Sequence, residues 1–510
     1  MAAAATIETV PRAAFPKSIG LWCTLFVLIS VCQVYLNTDP TFILLVLVFN
    51  LLWIAGVYAL GGFITVTGAS LGLFGIQHIL YSQVAKIVTW SRPDTPLLEP
   101  TETMLLYVIG MAGVTAAAFF VRSKPISRMK PILVEEIRVD RLKLLAIGFT
   151  FLMVVRYVGF AQFGRVLAVL SNFDFFTPVA VAASTAYVVI SSDRKRCLGA
   201  LTVIGMIIPL LSAIAFSQRK EASFAVIIFV ITAYAYGFRF KWKHYLSGLA
   251  ILYAFQFILF PYALYARSKL SGNDFMSNIG QAWEILQDVV ANPKKYQEKT
   301  KEPPPISDYE ATRLFYYGQP DPTSDRFSVL ITTDALVRAT DHIGPIGWQT
   351  IEAGLWMVVP RAFNPNKTQV GTSNFIAQRA PGVVGETDFK TSITLGFFSE
   401  CYVAFKWMGI LFIPFIVGVA FFGMYKVAIR DKLKNNFWAC SMIVTLPWTF
   451  SEGTIQQLCL RVFQDAPLIA ATGLVFAIAA NSMSKKRNLQ NEIASTEGER
   501  FESKKLRMVG

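Results

Sequence analysis

Charge is scarce in this chain. Only 16% of its 510 residues are Asp, Glu, Lys or Arg, whereas a soluble domain carries nearer a quarter. Histidine is scarcer still: His78, His244 and His342 are all there are, and they lie far apart, which excludes a histidine-built metal centre. The six cysteines stand at 23, 32, 197, 401, 440 and 459 with no Cys-x-x-Cys pair, which excludes a zinc ribbon and a disulfide framework. No Asp-x-Asp pair occurs between 265 and 404, so the chemistry expected there needs no metal, and no cofactor is expected. No cleavable signal peptide is expected either, because residues 1–18 lack a compact basic, apolar and small-residue succession.

What the chain has instead is apolar sequence. Hydrophobic residues make up 54% of it and the mean hydropathy is +0.48. Runs long enough to cross about 30 Å of hydrocarbon recur along most of its length. The fold class expected is all-α, a polytopic membrane protein of about twelve transmembrane helices with one large external loop. Spans are expected near 19–36, 42–60, 63–89, 103–121, 144–162, 175–191, 198–216, 222–238, 246–264, 407–428, 436–451 and 465–481. The third, rich in Gly and Thr, reads as broken or tilted. The chain thus divides into a membrane domain of about nine spans over 1–264, an external segment over 265–404, a membrane domain of about three spans over 405–481, and a charged tail over 482–510.

Basic residues set the orientation, since cytoplasmic loops accumulate Lys and Arg. With the N-terminus inside, the inner loops hold Arg122 to Lys143, Arg194-Lys195-Arg196, Arg239 to Lys243, Arg430 to Lys434 and the tail. Both ends are then cytoplasmic and 265–404 is external. The formal charge of +14 is a membrane-surface charge on this reading, and no nucleic acid is expected as a partner. One short external turn departs from the trend. "SQRKEASF" (217–224) places Arg219 and Lys220 side by side outside, where they are suited to face an anionic group at the outer surface. An ordinary exposed turn partly neutralised by Glu221 is the alternative.

A segment as long as 265–404 carries structure of its own. Residues 273–290 are apolar at helical spacing, 294–310 form a polar proline-rich break, and 325–369 read as two short amphipathic helices ending at Pro360-Arg361. Arg361 and Lys367 suit phosphate, Arg by its planar fork and Lys as a point charge. Glu400 is placed just outside the membrane, where a carboxylate could take a proton from a sugar hydroxyl. The alternatives are an interface anchor for Arg361 and a pairing of Glu400 with Lys406. His78 reads as a satisfied interhelical hydrogen-bonding residue. A disulfide between Cys401 and Cys459 is left open.

"VVPRAFNPNKTQ" (358–369) followed by "SITLGFFSECYVAFKWMGI" (392–410) resembles the oligosaccharide repeat-unit polymerases of O-antigen and capsule synthesis. That family carries a Pro-Arg step, a nearby Lys, a Gly-x-x-x-Glu-Tyr-like segment and a Phe-Gly-type turn into a span. Here the positions read Pro360-Arg361, Lys367, Ser392 and Thr394, Gly396, Glu400 and Tyr402, then Phe405 and Gly409, while the Phe405-Lys406-Trp407 turn lacks the Phe-Gly step. Arg326-Phe327 resembles the Arg-Phe pair upstream, and Ser217 and Arg219 loosely fill the family's Ser-Arg-Gly turn.

The resemblance implies a GT-C-like fold in a bacterial inner membrane. It also implies an activity that joins polyprenyl-pyrophosphate-linked repeat units and releases polyprenyl pyrophosphate. Arg219, Lys220, Arg326, Arg361 and Lys367 would bind the pyrophosphate, with Arg219 and Arg361 stabilising the leaving group. Glu400 would be the general base and His342 the second choice. A chain-length regulator and a flippase are the implied partners. The rival readings are an O-antigen ligase or another GT-C glycosyltransferase, and a lipid-linked glycan transporter.

Overall fold

The computed structural model describes residues 17–123, 131–133, 139–163, 175–216, 219–254, 275–292, 329–359, 372–380, 395–429 and 431–476, and a few single positions besides. The side chains at 158–163, 216 and 219 lie outside the description, as do Arg326, Arg361 and Lys367 entirely. Among the described residues the chain is all-helical and contains no strand, only two isolated bridges. Four helices are long and apolar enough to cross a membrane: Pro40–Ala59, Pro100–Arg122, Phe397–Ala428 and Ile455–Phe476. Shorter apolar helices cover Ile19–Tyr35, Phe176–Ser191 and Ala200–Ala215.

Local sequence explains where the helices start. Asp39 accepts from the Phe42 N–H and Pro40 follows it, so an orphan donor is capped and the first φ is preset. Thr65, Asn436 and Thr454 cap their helices in the same way. A helix overlaps each of the nine N-terminal segments where one was expected, the ninth described only as far as Ala254. The third is interrupted by a π-helical turn at Ile76–Leu80, between Val66–Gly75 and Tyr81–Val88. The amphipathic helices expected outside are Phe275–Ala291, Leu330–Ile343 and Gln349–Val358.

Two expected spans are corrected. The segment 436–451 is not one helix but two, Phe437–Met442 and Thr445–Glu452. The last helix begins at Ile455, ten residues before the expected start at 465. Arg461 and Asp465 lower the hydropathy of that stretch. In the fold they pair with each other one turn apart, so both charges enter the helix as a neutral couple.

The Pro100–Arg122 helix organises the membrane core. It packs on Pro40–Ala59, where a Cβ on Gly56 would sit 2.7 Å from Leu71 and 3.0 Å from Thr115. On its other face Gly110 meets Ile410, Gly113 meets Pro414 and Phe415, and Ala117 meets Gly418. Residue numbers rise together along this second contact, so the two helices are parallel and approach through small residues. Met408, Leu411, Phe412 and Ile416 face outward on the far side of that helix. Their helical spacing gives a continuous apolar stripe suited to lipid.

The Phe397–Ala428 segment is not one straight rod. In an α-helix residues eight apart are separated by about 12 Å, yet a Cβ on Gly409 would lie 2.0 Å from the carbonyl oxygen of Cys401. The chain folds back at Phe405 and Lys406, whose dihedrals are non-helical. The result is an elbow with a short arm, residues 397–404, and a long arm, residues 407–428. Every residue of the short arm is buried, polar ones included, so protein surrounds it on all sides. Its start is deep: Phe398 packs on Gly110, roughly 15 Å along the helix from Pro100 at 1.5 Å per residue.

Candidate functional site

Three features meet around the elbow. The first is the start of the short arm. Gly396 precedes it at φ 72°, and a Cβ there would lie 2.6 Å from Cε1 of His78. Both the sign of φ and the contact therefore require glycine. His78 sits in the π-helical turn, is fully buried and stacks on Phe74 at 4.0 Å between ring centroids. Its Nε2 is 2.8 Å from the Ser451 carbonyl and its Nδ1 3.0 Å from the Tyr107 hydroxyl. A carbonyl only accepts, so Nε2 carries a proton.

From there a buried chain of hydroxyls runs outward. Tyr107 contacts the Thr333 hydroxyl at 2.9 Å, and Thr333 contacts that of Ser399 at 2.8 Å. His78 is a satisfied interhelical histidine, as the sequence suggested. The chain it belongs to was not foreseen, because its members come from four separate parts of the sequence. Tyr107→Phe removes the link between His78 and Thr333 and leaves a buried polar group without its partner. A loss of about 1 kcal/mol is expected, read as a lower melting temperature of the detergent-solubilised protein.

The second feature is Glu400, on the short arm. It is 0% exposed. Oε2 accepts from the Ile455 N–H at 2.5 Å, and Oε1 has no hydrogen-bond partner. This corrects two expectations. Glu400 is enclosed by protein in this conformation rather than facing an open site, and Lys406 pairs with Asp341 instead of with it. A general base has to reach the proton it removes; in this conformation Glu400 reaches only the first turn of the last helix, whose orphan N–H it satisfies. Cys401 and Cys459 are both free thiols.

The third feature is the tip of the elbow. Lys406 has φ 50° and ψ −137°, the dihedrals of the first central residue of a II′ turn, a position glycine dominates. Its Nζ lies 3.0 Å from Oδ1 of Asp341, which also accepts from the Tyr402 hydroxyl at 3.0 Å. Glu102 stands against both Asp341 and Lys406. The chain after Asp341 is strapped to the elbow, with the Ile346 and Gly347 N–H groups donating to the Val403 and Ala404 carbonyls at 2.9 Å. Trp348 follows, edge-on to Phe405 at 4.9 Å and 68% exposed.

The other predicted residues are placed as follows. His342 is exposed at the last turn of Leu330–Ile343, next in sequence to Asp341. Arg219 opens the helix Arg219–Ala235. Lys220 is exposed, its Nζ 5.4 Å from the ring centroids of both Phe224 and Trp448. Glu221 accepts from the Tyr157 hydroxyl at 2.5 Å. It is thus held to its own side of the bundle, and the aromatic rings hold Lys220 in a defined place.

Below the elbow, Asp334 takes the N–H groups of Leu98 and Glu99 and the hydroxyl of Thr103 at 2.6–2.9 Å. Burial raises its carboxyl above the usual carboxylate range, and those three donors pull it part of the way back. Comparison with protein families, curated proteins and solved structures returns no match. The elbow could have been suspected from Gly396 and Gly409, two glycines flanking a polar patch inside an apolar run. Nothing in the sequence pairs Asp341 with Lys406.

Proposed function

We propose that this chain is a membrane glycosyltransferase of the repeat-unit polymerase kind. It joins oligosaccharide units carried on polyprenyl pyrophosphate at the outer face of a bacterial inner membrane and releases polyprenyl pyrophosphate. The observation that carries this reading is the fit of the segment 396–409 to the turn that the resemblance implies. Gly396 and Gly409 stand where no side chain fits, and Lys406 adopts a glycine-like conformation where the family has its Phe-Gly step.

The fold proposed is GT-C-like with about twelve crossings, both ends cytoplasmic and 265–404 external. The leaving group is an anion at headgroup level. Arg219 and Lys220, with Arg326, Arg361 and Lys367 from the external segment, would stabilise the charge that develops on it. Glu400 is enclosed and bonded to the Ile455 N–H in this conformation, so it would act as the general base only if the elbow opens, and His342 is the exposed second candidate. A chain-length regulator and a flippase are the proposed partners.

Replacing Arg219 by Ala and by Lys, in cells lacking the native copy, tests the reading. The expected outcome is normal protein level with a surface polysaccharide ladder collapsed to single repeat units in Arg219→Ala. Lys should restore it only in part, because a point charge lacks the bidentate fork. A full ladder in both variants would sink the proposal for this turn. A wild-type chain that makes no difference to the ladder when deleted would sink the polymerase reading itself.

A further inference from the structure

The elbow tip holds charges that the proposed chemistry does not use. Lys406 occupies a backbone conformation that glycine would adopt without strain and that a non-glycine residue adopts only at a cost. Its ammonium is placed at 3.0 Å from Asp341. Both side chains are partly exposed, 36% each. An exposed ion pair returns little stability, so the pair does not offset the strain. The Tyr402 hydroxyl also donates to Oδ1 of Asp341, which fixes the carboxylate. Glu102, exposed on the neighbouring helix, brings a second carboxylate. A strap of two backbone hydrogen bonds, with glycines at φ 92° and 78°, then presents the indole of Trp348 beside them.

We infer that the elbow tip is a saccharide-binding subsite, in which Asp341 and Glu102 accept from sugar hydroxyls, Lys406 donates, and Trp348 covers the apolar face of one ring. The chemistry selects this ligand class. Two carboxyl groups, Glu102 within hydrogen-bond reach of Asp341, against one ammonium leave no surplus of positive charge to hold a phosphate, whereas sugar hydroxyls both donate to and accept from such a set, with a charge-assisted bond to Asp341. A pyranose presents axial C–H groups on one face, and a flat, exposed indole gives them a large contact area without demanding a charge. The inference rests on the glycosyltransferase reading and deepens it: the cationic turn at Arg219 and Lys220 would take the pyrophosphate, and the anionic elbow a sugar of the repeat unit.

The test uses the purified full-length protein in lipid nanodiscs. The probe is the lipid-free oligosaccharide released by mild acid from the lipid-linked repeat units of the host cell, titrated by calorimetry. Wild type is expected to bind. Trp348→Ala, Asp341→Asn and Lys406→Gly are each expected to weaken binding tenfold or more, and Trp348→Phe to stay within threefold. Lys406→Gly relaxes the backbone and is expected to melt no lower than wild type, which separates a binding role from a structural one. Folded Trp348→Ala and Lys406→Gly proteins that bind like wild type would overturn the subsite and leave the polymerase reading standing. Absence of wild-type binding would overturn the subsite as well, and the Arg219 ladder then decides the polymerase reading independently.

Discussion

Gly409→Ala is expected to eliminate the folded protein from the membrane. The added Cβ would sit 2.0 Å from the Cys401 carbonyl oxygen and 3.0 Å from its carbon. Both are backbone atoms of the short arm, so no rotamer change relieves the clash. Relief requires the two arms to part, and the short arm is buried along its whole length. The cost should exceed the 1–3 kcal/mol typical of an overpacked core, a large share of the stability of a marginally stable chain. The comparison is Gly113→Ala. There the nearest atom would be the Phe415 nitrogen at 3.3 Å, and a slight shift between helices accommodates it. Immunoblots of membranes should show Gly409→Ala absent or degraded and Gly113→Ala present. Equal levels of the two would mean that the arms do not fold back as described.

The second large effect separates two roles for one carboxylate. Glu400→Gln keeps an oxygen for the Ile455 N–H and replaces an oxygen that has no partner, so protein level and polysaccharide ladder should both survive. Glu400→Ala removes the acceptor and leaves the N–H buried and unpaired, for a loss of about 1–3 kcal/mol. The last helix then loses the contact that holds its first turn to the elbow. A lower melting temperature and less protein in the membrane are expected. Should Glu400→Gln be present at normal level and the ladder vanish, Glu400 would be acting chemically after all. The elbow would then have to open during turnover to expose it.

Much of the helical layout was legible because apolar runs and their polar punctuation report helix positions directly. Lys17–Tyr35 and Phe176–Ser191 lie within a residue or two of expectation. Two kinds of feature escaped. Charges that cancel inside a helix read as surface: Arg461 and Asp465 pushed the expected start of the last helix ten residues late. Chain reversals inside an apolar run leave no mark on hydropathy. The expected span 407–428 coincides with the long arm, but hydropathy does not announce the short arm folded back against it, and only Gly396, Gly409 and the out-of-place Lys406 betray the bend. For the candidate site, residue types pointed to Glu400 as a reactive group. A carboxylate in an apolar stretch satisfies that description equally well when it caps a helix, and only the Ile455 contact decides between the two. Asp341 went unnoticed because its partners Tyr402 and Lys406 lie some sixty residues away.

Thr333 and Asp334 are neighbours in sequence, yet they engage different parts of one helix approach. Thr333 reaches Tyr107 and Ser399, while Asp334 gathers Leu98, Glu99 and Thr103. Two adjacent side chains keyed to two sets of partners leave no alternative register. In the course of divergence the segment around Thr333 and Asp334 could not be traded between related chains as an independent cassette. It would have to travel with residues 98–107, and homologues that reshape one should be found to have reshaped the other. A chimera carrying a foreign version of that segment should therefore assemble only when that short stretch, more than two hundred residues upstream, is transplanted with it.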